Sequence, residues 1–361
     1  MILAAAAIAG ACVAAPGWEK HPFRVEACPQ VFNIHDAGGI ANTLDLVFVP
    51  AGFPEAQLDT YRCGVALTLQ ALLARPPFDR YACRINAYRI DLAADAPIAM
   101  PAKCGGEACH PMPPVWPDAE RISQCADLAK SSRLPPPERG VPVAASGRTL
   151  GDCLALDIPT EACAGGTTSC RVLWPTLDGL RRVWRLAACA PTFDIVIVVA
   201  NSGDWAGGGT DDMEPPLAVI TLDGVSAERT RARLLGHELG HALGLLDEYA
   251  TAYPGTTDLP VFHAGRNVVK ADAKGGVGSV PWQSLCGASP CETVSECGSS
   301  KPPATPPAVG LYEGAFYESC GYYRGSDECA MSDAEDPMCA ACSLYVSRLL
   351  EDMGLARCAG K

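Results

Sequence analysis

Residues 226–249 read SAERTRARLLGHELGHALGLLDEY, and this stretch sets the expectations for the rest of the chain. Leucine and alanine recur in it at helical spacing, which predicts an amphipathic helix with Ser226 as its N-cap. Residues i and i+4 share one face of a helix, so His237 and His241 can offer two imidazole nitrogens to one metal ion. Gly244 follows one turn later and can take the left-handed conformation that ends a helix. We therefore expect a helix that carries a metal site on one face and stops soon after it.

Two acidic residues extend the pattern. Glu238 directly follows the first histidine, where its carboxylate can act as a general base. Asp247 lies three residues beyond Gly244, and H-E-x-x-H-x-x-G-x-x-D is the zinc pattern of metzincins with aspartate in place of the third histidine. A purely structural histidine pair is the alternative for H-E-x-x-H alone, but the base, the glycine and the acidic residue all fit the zinc pattern. The sequence predicts one catalytic Zn²⁺ held by His237, His241 and Asp247.

Composition narrows the class of protein. The chain has 361 residues, a net charge of -13 and nineteen cysteines. No basic patch stands out, so nucleic acid is not expected as a partner. No apolar run beyond the first residues reaches about 18, so no membrane span is expected. The many cysteines predict an oxidising compartment and a disulfide-bonded protein.

The first fifteen residues, MILAAAAIAGACVAA, form an uncharged apolar run like the core of a secretory signal peptide, with cleavage after Ala15. A lipoprotein signal with Cys12 as the acylated residue is the alternative. Either route removes Cys12, and the remaining cysteines are even in number and can form up to about nine disulfides. The protein is expected to be secreted, periplasmic or attached to the cell surface.

The pattern along the chain predicts an α/β fold. Apolar runs predict strands at 44–49, 85–92, 194–200 and 217–222, the third of them central in a sheet, and helices at 54–75 and 174–186. We expect an irregular lead-in at 16–40 and then a single domain at 41–358. Its cysteine- and proline-rich insertions are expected at about 96–175 and 286–309.

A glycine-rich segment and a C-terminal segment with a C-x-x-C motif complete the pattern. The glycine-rich residues 201–210 lack the spacing of a phosphate-binding loop, and either shape the edge of a cleft or form a flexible turn. Residues 339–353 are predicted to close the domain as an amphipathic helix. At its start Cys339 and Cys342 form C-x-x-C, and we expect them to be disulfide partners.

Several segments, in the same order, resemble the immunoglobulin A metallopeptidases, metallopeptidase family sixty-four. They are LDLVFVPAGFPEAQLDTY at 44–61, DIVIVVANSGDWAGGG at 194–209, HELGHALGLLDEY at 237–249, GLYEGAFYESCGYYRGSDECAM at 310–331 and PMCAAC at 337–342. The resemblance covers most of the chain from about residue 40 to 350. It implies a zincin, metzincin-like fold, with a mixed twisted sheet and an active-site helix.

The resemblance also implies roles for single residues. His237 and His241 would be zinc ligands, Glu238 the catalytic base, and Met331 the methionine of a tight turn beneath the metal. The family usually has one more residue before its Asp-Glu-Tyr triplet, so Glu248 is an alternative third ligand. Asp247 is favoured because its offset fits metzincin geometry.

The predicted function is a secreted zinc endopeptidase that hydrolyses peptide bonds in a protein or peptide substrate, through a zinc-activated water and a glutamate base. Tyr249, Tyr322 or Tyr323 could donate a hydrogen bond to the developing oxyanion, although each is more often a packing residue. The alternative is a disulfide-rich secreted binding protein that contains zinc without turnover. A zinc amidase acting on cell-wall peptides ranks last, because its usual ligand spacing differs.

Overall fold

The computed structural model describes residues 28–94, 177–201, 207–222, 228–250, 266–271, 277–287, 290–295 and 308–359, and three two-residue strands between 132 and 175. These residues form a mixed α/β fold with two mixed sheets. The strands are β1 (Gln30–His35), β2 (Leu44–Ala51), β3 (Ile85–Asp91), β4 (Ser132–Arg133), β5 (Leu156–Asp157), β6 (Trp174–Pro175), β7 (Ile195–Ala200), β8 (Gly207–Thr210), β9 (Leu217–Thr221), β10 (Val268–Lys270), β11 (Thr293–Ser295), β12 (Leu311–Ala315) and β13 (Glu318–Arg324). The α-helices are α1 (Leu58–Leu73), α2 (Leu177–Ala187), α3 (Glu228–Ala242) and α4 (Ala340–Asp352). Short 3-10 helices lie at Glu55–Gln57, Phe78–Arg80, Ala82–Arg84 and Gln283–Leu285.

The larger sheet has the strand order β4-β1-β3-β2-β7-β9-β8. Its middle strands β3, β2, β7 and β9 are parallel, whereas β1 and β8 run antiparallel to their neighbours. Strand β7 is internal and buried along its whole length, as its uninterrupted apolar run predicted. Alternate residues of β7 pack into two cores, one shared with α1, α3 and α4 and the other with α2. Helices therefore cover both faces of this sheet.

Two strands occupy stretches that were expected to be irregular or looped. Strand β1 lies within the expected lead-in and pairs with β3, a partner more than fifty residues away. Strand β8 consists of three glycines and a threonine, which have little intrinsic strand preference between them. It forms because its backbone pairs with β9, so a long-range contact overrides local propensity.

The smaller sheet has the order β10-β13-β12-β11, and its β12–β13 hairpin reaches the chain that follows α3. Phe316 and Tyr317 form the hairpin turn with φ of 52° and 63°, a backbone region that non-glycine residues seldom adopt. Phe316 packs with Leu246 and Val268 in a small apolar cluster. This contact fixes the turn beside the start of the segment that carries Asp247.

Disulfides cross-link the described chain. Cys28–Cys189, Cys83–Cys358 and Cys286–Cys291 are bridged, and Cys63 and Cys320 are also disulfide-bonded. Bridges of this number fit a protein outside the cytoplasm. The predicted bridge between Cys339 and Cys342 is wrong, since both are free thiols and lie beside a third, Cys329. Among the described residues, no helix is both long and apolar enough to cross a bilayer.

Some predictions concern residues that lie outside the described ranges. These are the signal peptide with Cys12 and Ala15, the Ser226 cap and nearly all of the insertion at 96–175.

Candidate metal centre

Helix α3 presents its histidines on the side away from its apolar residues. Leu235 and Leu239 are fully buried in the core that α1 also lines. The Nε2 atoms of His237 and His241 lie 3.2 Å apart, as expected for side chains one turn apart on a helix. The predicted helix therefore exists and its two imidazoles converge.

Gly244 ends the helix as the sequence predicted. Its φ is +92°, and its N–H donates to the carbonyl of His241 at 2.9 Å. The N–H of Leu245 donates to the carbonyl of Gly240 at 2.8 Å, which completes a Schellman motif. The chain reverses there and brings Asp247 back to the histidines.

Asp247 completes a three-residue cluster. Its Oδ1 atom lies 3.2 Å from Nε2 of His241 and 3.5 Å from Nε2 of His237. Within the described chain, Oδ1 has no other hydrogen-bond donor. The three side chains are at least largely buried, and their ligand atoms all lie within 4.8 Å of one another, so the cluster could hold a metal ion.

The tautomers of the two histidines suit metal binding. Nδ1 of His237 contacts the carbonyl oxygen of Ala330 at 2.6 Å, and Nδ1 of His241 contacts that of Leu245 at 2.9 Å. A carbonyl can only accept, so each Nδ1 carries the hydrogen and donates it. Each neutral ring is left with a lone pair on Nε2 directed at the cluster. Two nitrogens and one carboxylate oxygen form a donor set that fits zinc.

Electrostatics couple the three groups. Burial and the neighbouring His241 lower the pKa of His237 to about 4. Burial alone would lower the pKa of His241, but the Asp247 carboxylate outweighs it and raises that pKa to about 9. In the same way, the histidines hold the pKa of Asp247 below its ordinary value despite burial. Without a metal, the cluster retains a proton on His241, which a metal ion must displace.

Glu238 lies next to the cluster, and burial raises its pKa to about 8. Its carboxylate rests against strand β8, because a Cβ added to Gly207 would come within 2.3 Å of Oε1. A carboxyl group whose pKa is shifted by burial, next to residues that could hold a metal ion, is a candidate functional residue.

The glycines of β8 let the edge strand touch helix α3. A Cβ on Gly209 would lie 2.2 Å from the backbone oxygen of Glu238 and 2.8 Å from Cβ of His241. Gly207 and Gly209 are two residues apart and so face the same side of the strand. Residues 207–210 thus form a strand beside the site and not a flexible turn. Their role at the edge of a cleft stays a prediction, and residues 202–206 lie outside the described chain.

Tyr317 is a site residue that the sequence did not reveal. Its hydroxyl donates to Oδ2 of Asp247, the oxygen that faces away from the histidines. Its ring stacks on Tyr249 with centroids 5.6 Å apart, and its N–H donates to the Tyr249 carbonyl at 2.8 Å. Only the hairpin places Tyr317 there, and its sole sequence signal was two adjacent aromatic residues between strand-like segments.

The three tyrosines named from the sequence have different positions. Tyr249 lies near the cluster, with its ring centroid 6.1 Å from that of His237. Tyr322 and Tyr323 are buried on strand β13, where they pack in apolar clusters.

Glu248, the alternative third ligand, does not join the histidines. Its Oε1 atom lies 3.1 Å from Sγ of Cys342 and accepts from the side-chain amide of Asn267 at 2.9 Å. Asn267 also bonds to both backbone groups of Leu246, so it fixes this segment from the side. Burial raises the pKa of Glu248 to about 8.

Met331 packs against helix α3. It is fully buried, and its sulfur would be 2.8 Å from a Cβ added to Gly240, between the two histidines. Its backbone carbonyl accepts from the N–H of Glu248 at 2.8 Å. The turn at residues 330–331 thus contacts both the helix and the segment that follows it.

Comparisons with known proteins do not identify the chain: no protein-family model matches it, and no curated protein matches it. The resemblance to the immunoglobulin A metallopeptidases therefore remains a prediction.

Proposed function

We propose that this protein is a secreted zinc endopeptidase with a zincin-like, metzincin-type fold. One observation carries the proposal: Nε2 of His237, Nε2 of His241 and Oδ1 of Asp247 converge beside the buried carboxylate of Glu238. Three protein ligands that leave a position open, with a carboxylate base next to it, are the arrangement of catalytic zinc sites.

The architecture around α3 supports the same proposal. An antiparallel glycine strand, β8, lies along the helix, and Gly244 reverses the chain so that a third ligand follows. Met331 packs beneath the helix, as in a metzincin methionine turn. Membership of the immunoglobulin A metallopeptidase family is part of this proposal and rests on the motifs named above.

The residues of the site would have separate roles in peptide hydrolysis. A zinc ion held there would supply Lewis-acid polarisation of a carbonyl and would lower the pKa of a nucleophilic water to about 7. His237 and His241 hold the ion through Nε2, while the carbonyls of Ala330 and Leu245 fix their rings. Glu238 would take a proton from the attacking water as general base and pass it to the leaving amine as general acid.

The substrate class follows from strand β8. It is the last strand in the sheet order, and among the described residues β9 is its only strand partner. An extended peptide could add to the other edge of β8 by backbone hydrogen bonds. This geometry favours a peptide or protein substrate.

The deciding experiment replaces Glu238 with Gln, which keeps size and hydrogen bonding but removes the base. Glu238→Gln should retain zinc and fold yet lose cleavage of a peptide mixture by about 10²- to 10⁴-fold. Mass spectrometry of the mixture, with and without chelator, measures cleavage. Glu55→Gln, at an exposed glutamate, is the matched control and should cleave like the unmodified protein.

Three results would contradict the proposal in different ways. Undiminished cleavage by Glu238→Gln would reject its role as base. A protein that holds zinc but cleaves nothing would support the zinc-containing binding protein. Cleavage of cell-wall peptides alone would support the amidase.

A further inference from the structure

A second buried cluster lies on the other side of the segment that carries Asp247. It consists of Cys329, Cys339, Cys342 and Glu248, and we call it the cysteine–glutamate cluster. One ligand atom from each residue lies within 4.8 Å of all the others. Each of the four residues is at most 7% exposed, so the cluster is closed to solvent.

The sulfur atoms are spaced as metal ligands are. Sγ of Cys329 and Sγ of Cys342 lie 3.5 Å apart. A disulfide requires about 2.05 Å. Two thiolates on one tetrahedral zinc, at about 2.3 Å each, lie about 3.8 Å apart. Three thiols are also an odd number, so any single bridge among them would leave one sulfur beside a buried carboxylate.

The backbone amides around Cys339 favour a thiolate at this position of the cluster. Cys339 caps the N-terminus of α4, and its Sγ accepts from the N–H of Cys342 at 3.5 Å. The N–H of Cys339 in turn donates to Sγ of Cys329 at 3.4 Å. A helix N-terminus and its free amides stabilise anions, and thiolates are the metal-binding form of cysteine.

Glu248 supplies an independent sign of a missing ligand. Its Oε1 accepts hydrogen bonds, but Oε2 is buried and has no hydrogen-bond partner in the described part of the chain. Leaving a buried carboxylate oxygen without a partner costs free energy. A cation bound to the neighbouring thiolates would provide that partner.

We propose that the cysteine–glutamate cluster is a second metal site, which binds a divalent, thiolate-preferring cation, with Zn²⁺ the best fit. Three sulfurs exclude calcium and magnesium, which prefer oxygen ligands. Four protein ligands and complete burial make it a closed, structural site. Binding releases the thiol protons to solvent and needs no oxidant or reductant.

A metal in this site would also hold the His237–His241–Asp247 cluster in place. Glu248 and Asp247 are consecutive, and their side chains reach the two clusters separately. The N–H of Glu248 also bonds to the carbonyl of Met331, two residues after Cys329. A metal bound here would fix both the segment of the third ligand and the turn beneath α3. The proposal concerns a separate ligand set and does not depend on peptidase activity.

The test is metal content and cobalt spectroscopy on the full chain, purified without oxidation. The unmodified protein should hold about two zinc ions, and both the His237→Ala/His241→Ala variant and Cys342→Ser should hold about one. After exchange for Co²⁺, the intense thiolate-to-cobalt absorption should appear in the unmodified protein and the histidine variant. It should be absent from Cys342→Ser.

The proposal can still be tested if Cys342→Ser does not fold, because two measurements on the unmodified protein decide it. Absence of the thiolate-to-cobalt band there would overturn it. Alkylation of the chelated, unfolded but unreduced chain should label Cys329, Cys339 and Cys342. A disulfide between any two of them would overturn the second site. Failure of the proposed peptidase would appear instead as absent cleavage with this band unchanged.

Discussion

The substitution Gly209→Ala tests whether strand β8 lies against helix α3. The new Cβ would be 2.2 Å from the backbone oxygen of Glu238 and 2.8 Å from Cβ of His241. The first distance falls short of ordinary contact by about 1.2 Å, and a backbone atom cannot move aside as a flexible side chain can. The strand must therefore shift away from the helix by roughly 1 Å.

The expected cost follows from that shift. Overpacking of this kind typically destabilises by about 1–3 kcal/mol. The same displacement would move strand β8 relative to Glu238, and misplacement by about 1 Å can reduce a rate by about 10²-fold. Urea denaturation gives the free energy of unfolding, and peptide cleavage gives the activity.

Gly236→Ala is the matched control, because Gly236 lies on the same helix with nothing within 4 Å of an added Cβ. It should be neutral or stabilise by up to about 1 kcal/mol, since alanine favours helix. If Gly209→Ala matched this control in stability, the close contact between β8 and α3 would be refuted. If it lost stability but kept full activity, the position of strand β8 would not affect catalysis.

Two further predictions concern the first metal cluster. Tyr317→Phe removes the hydroxyl that orients Asp247, and zinc affinity measured against a chromophoric chelator should fall by about 10- to 100-fold. Equal zinc affinity would exclude an orienting role for Tyr317. The control Tyr88→Phe, on strand β3, should leave the zinc affinity unchanged. The metal-free protein should lose stability as pH rises from about 6.5 to about 9. In that range folded His241, with a pKa of about 9, and Glu238, with a pKa of about 8, keep protons that the unfolded chain has released, so the free energy of unfolding falls with pH. Urea denaturation in chelator across this range checks the sign, which a rise in stability would contradict, and zinc loading should weaken the trend.

Local features of the fold were predictable from the sequence. The four-residue spacing of His237 and His241 fixes their shared face, because helix geometry is a property of the backbone alone. Gly244 could be predicted to end the helix, because few other residues adopt its φ of +92° without strain. The apolar run of β7 predicted a strand buried on both faces for the same kind of reason.

Long-range contacts could not be predicted from the sequence. Strand β8 exists only through its pairing with β9, and Tyr317 reaches Asp247 only because a distant hairpin turns beside it. The prediction that Cys339 and Cys342 are disulfide partners was wrong, since C-x-x-C spacing permits either a bridge or a metal. Cys329 and Glu248, which complete that cluster, come from separate parts of the chain.

The third ligand position shows most clearly what the sequence determined and what the tertiary structure determined. The sequence by itself predicted a helix that carries two histidines and a glutamate and ends at Gly244. It left the adjacent residues Asp247 and Glu248 as alternative third ligands. Only the tertiary structure decided which of them meets the histidines. Between Gly244 and Ala250 the chain forms neither helix nor strand, and the side chains of Asp247 and Glu248 reach different clusters. Asp247 therefore faces the imidazoles and Glu248 faces the cysteines, a choice set by the packing of Asn267, Met331 and the β12–β13 turn around that segment.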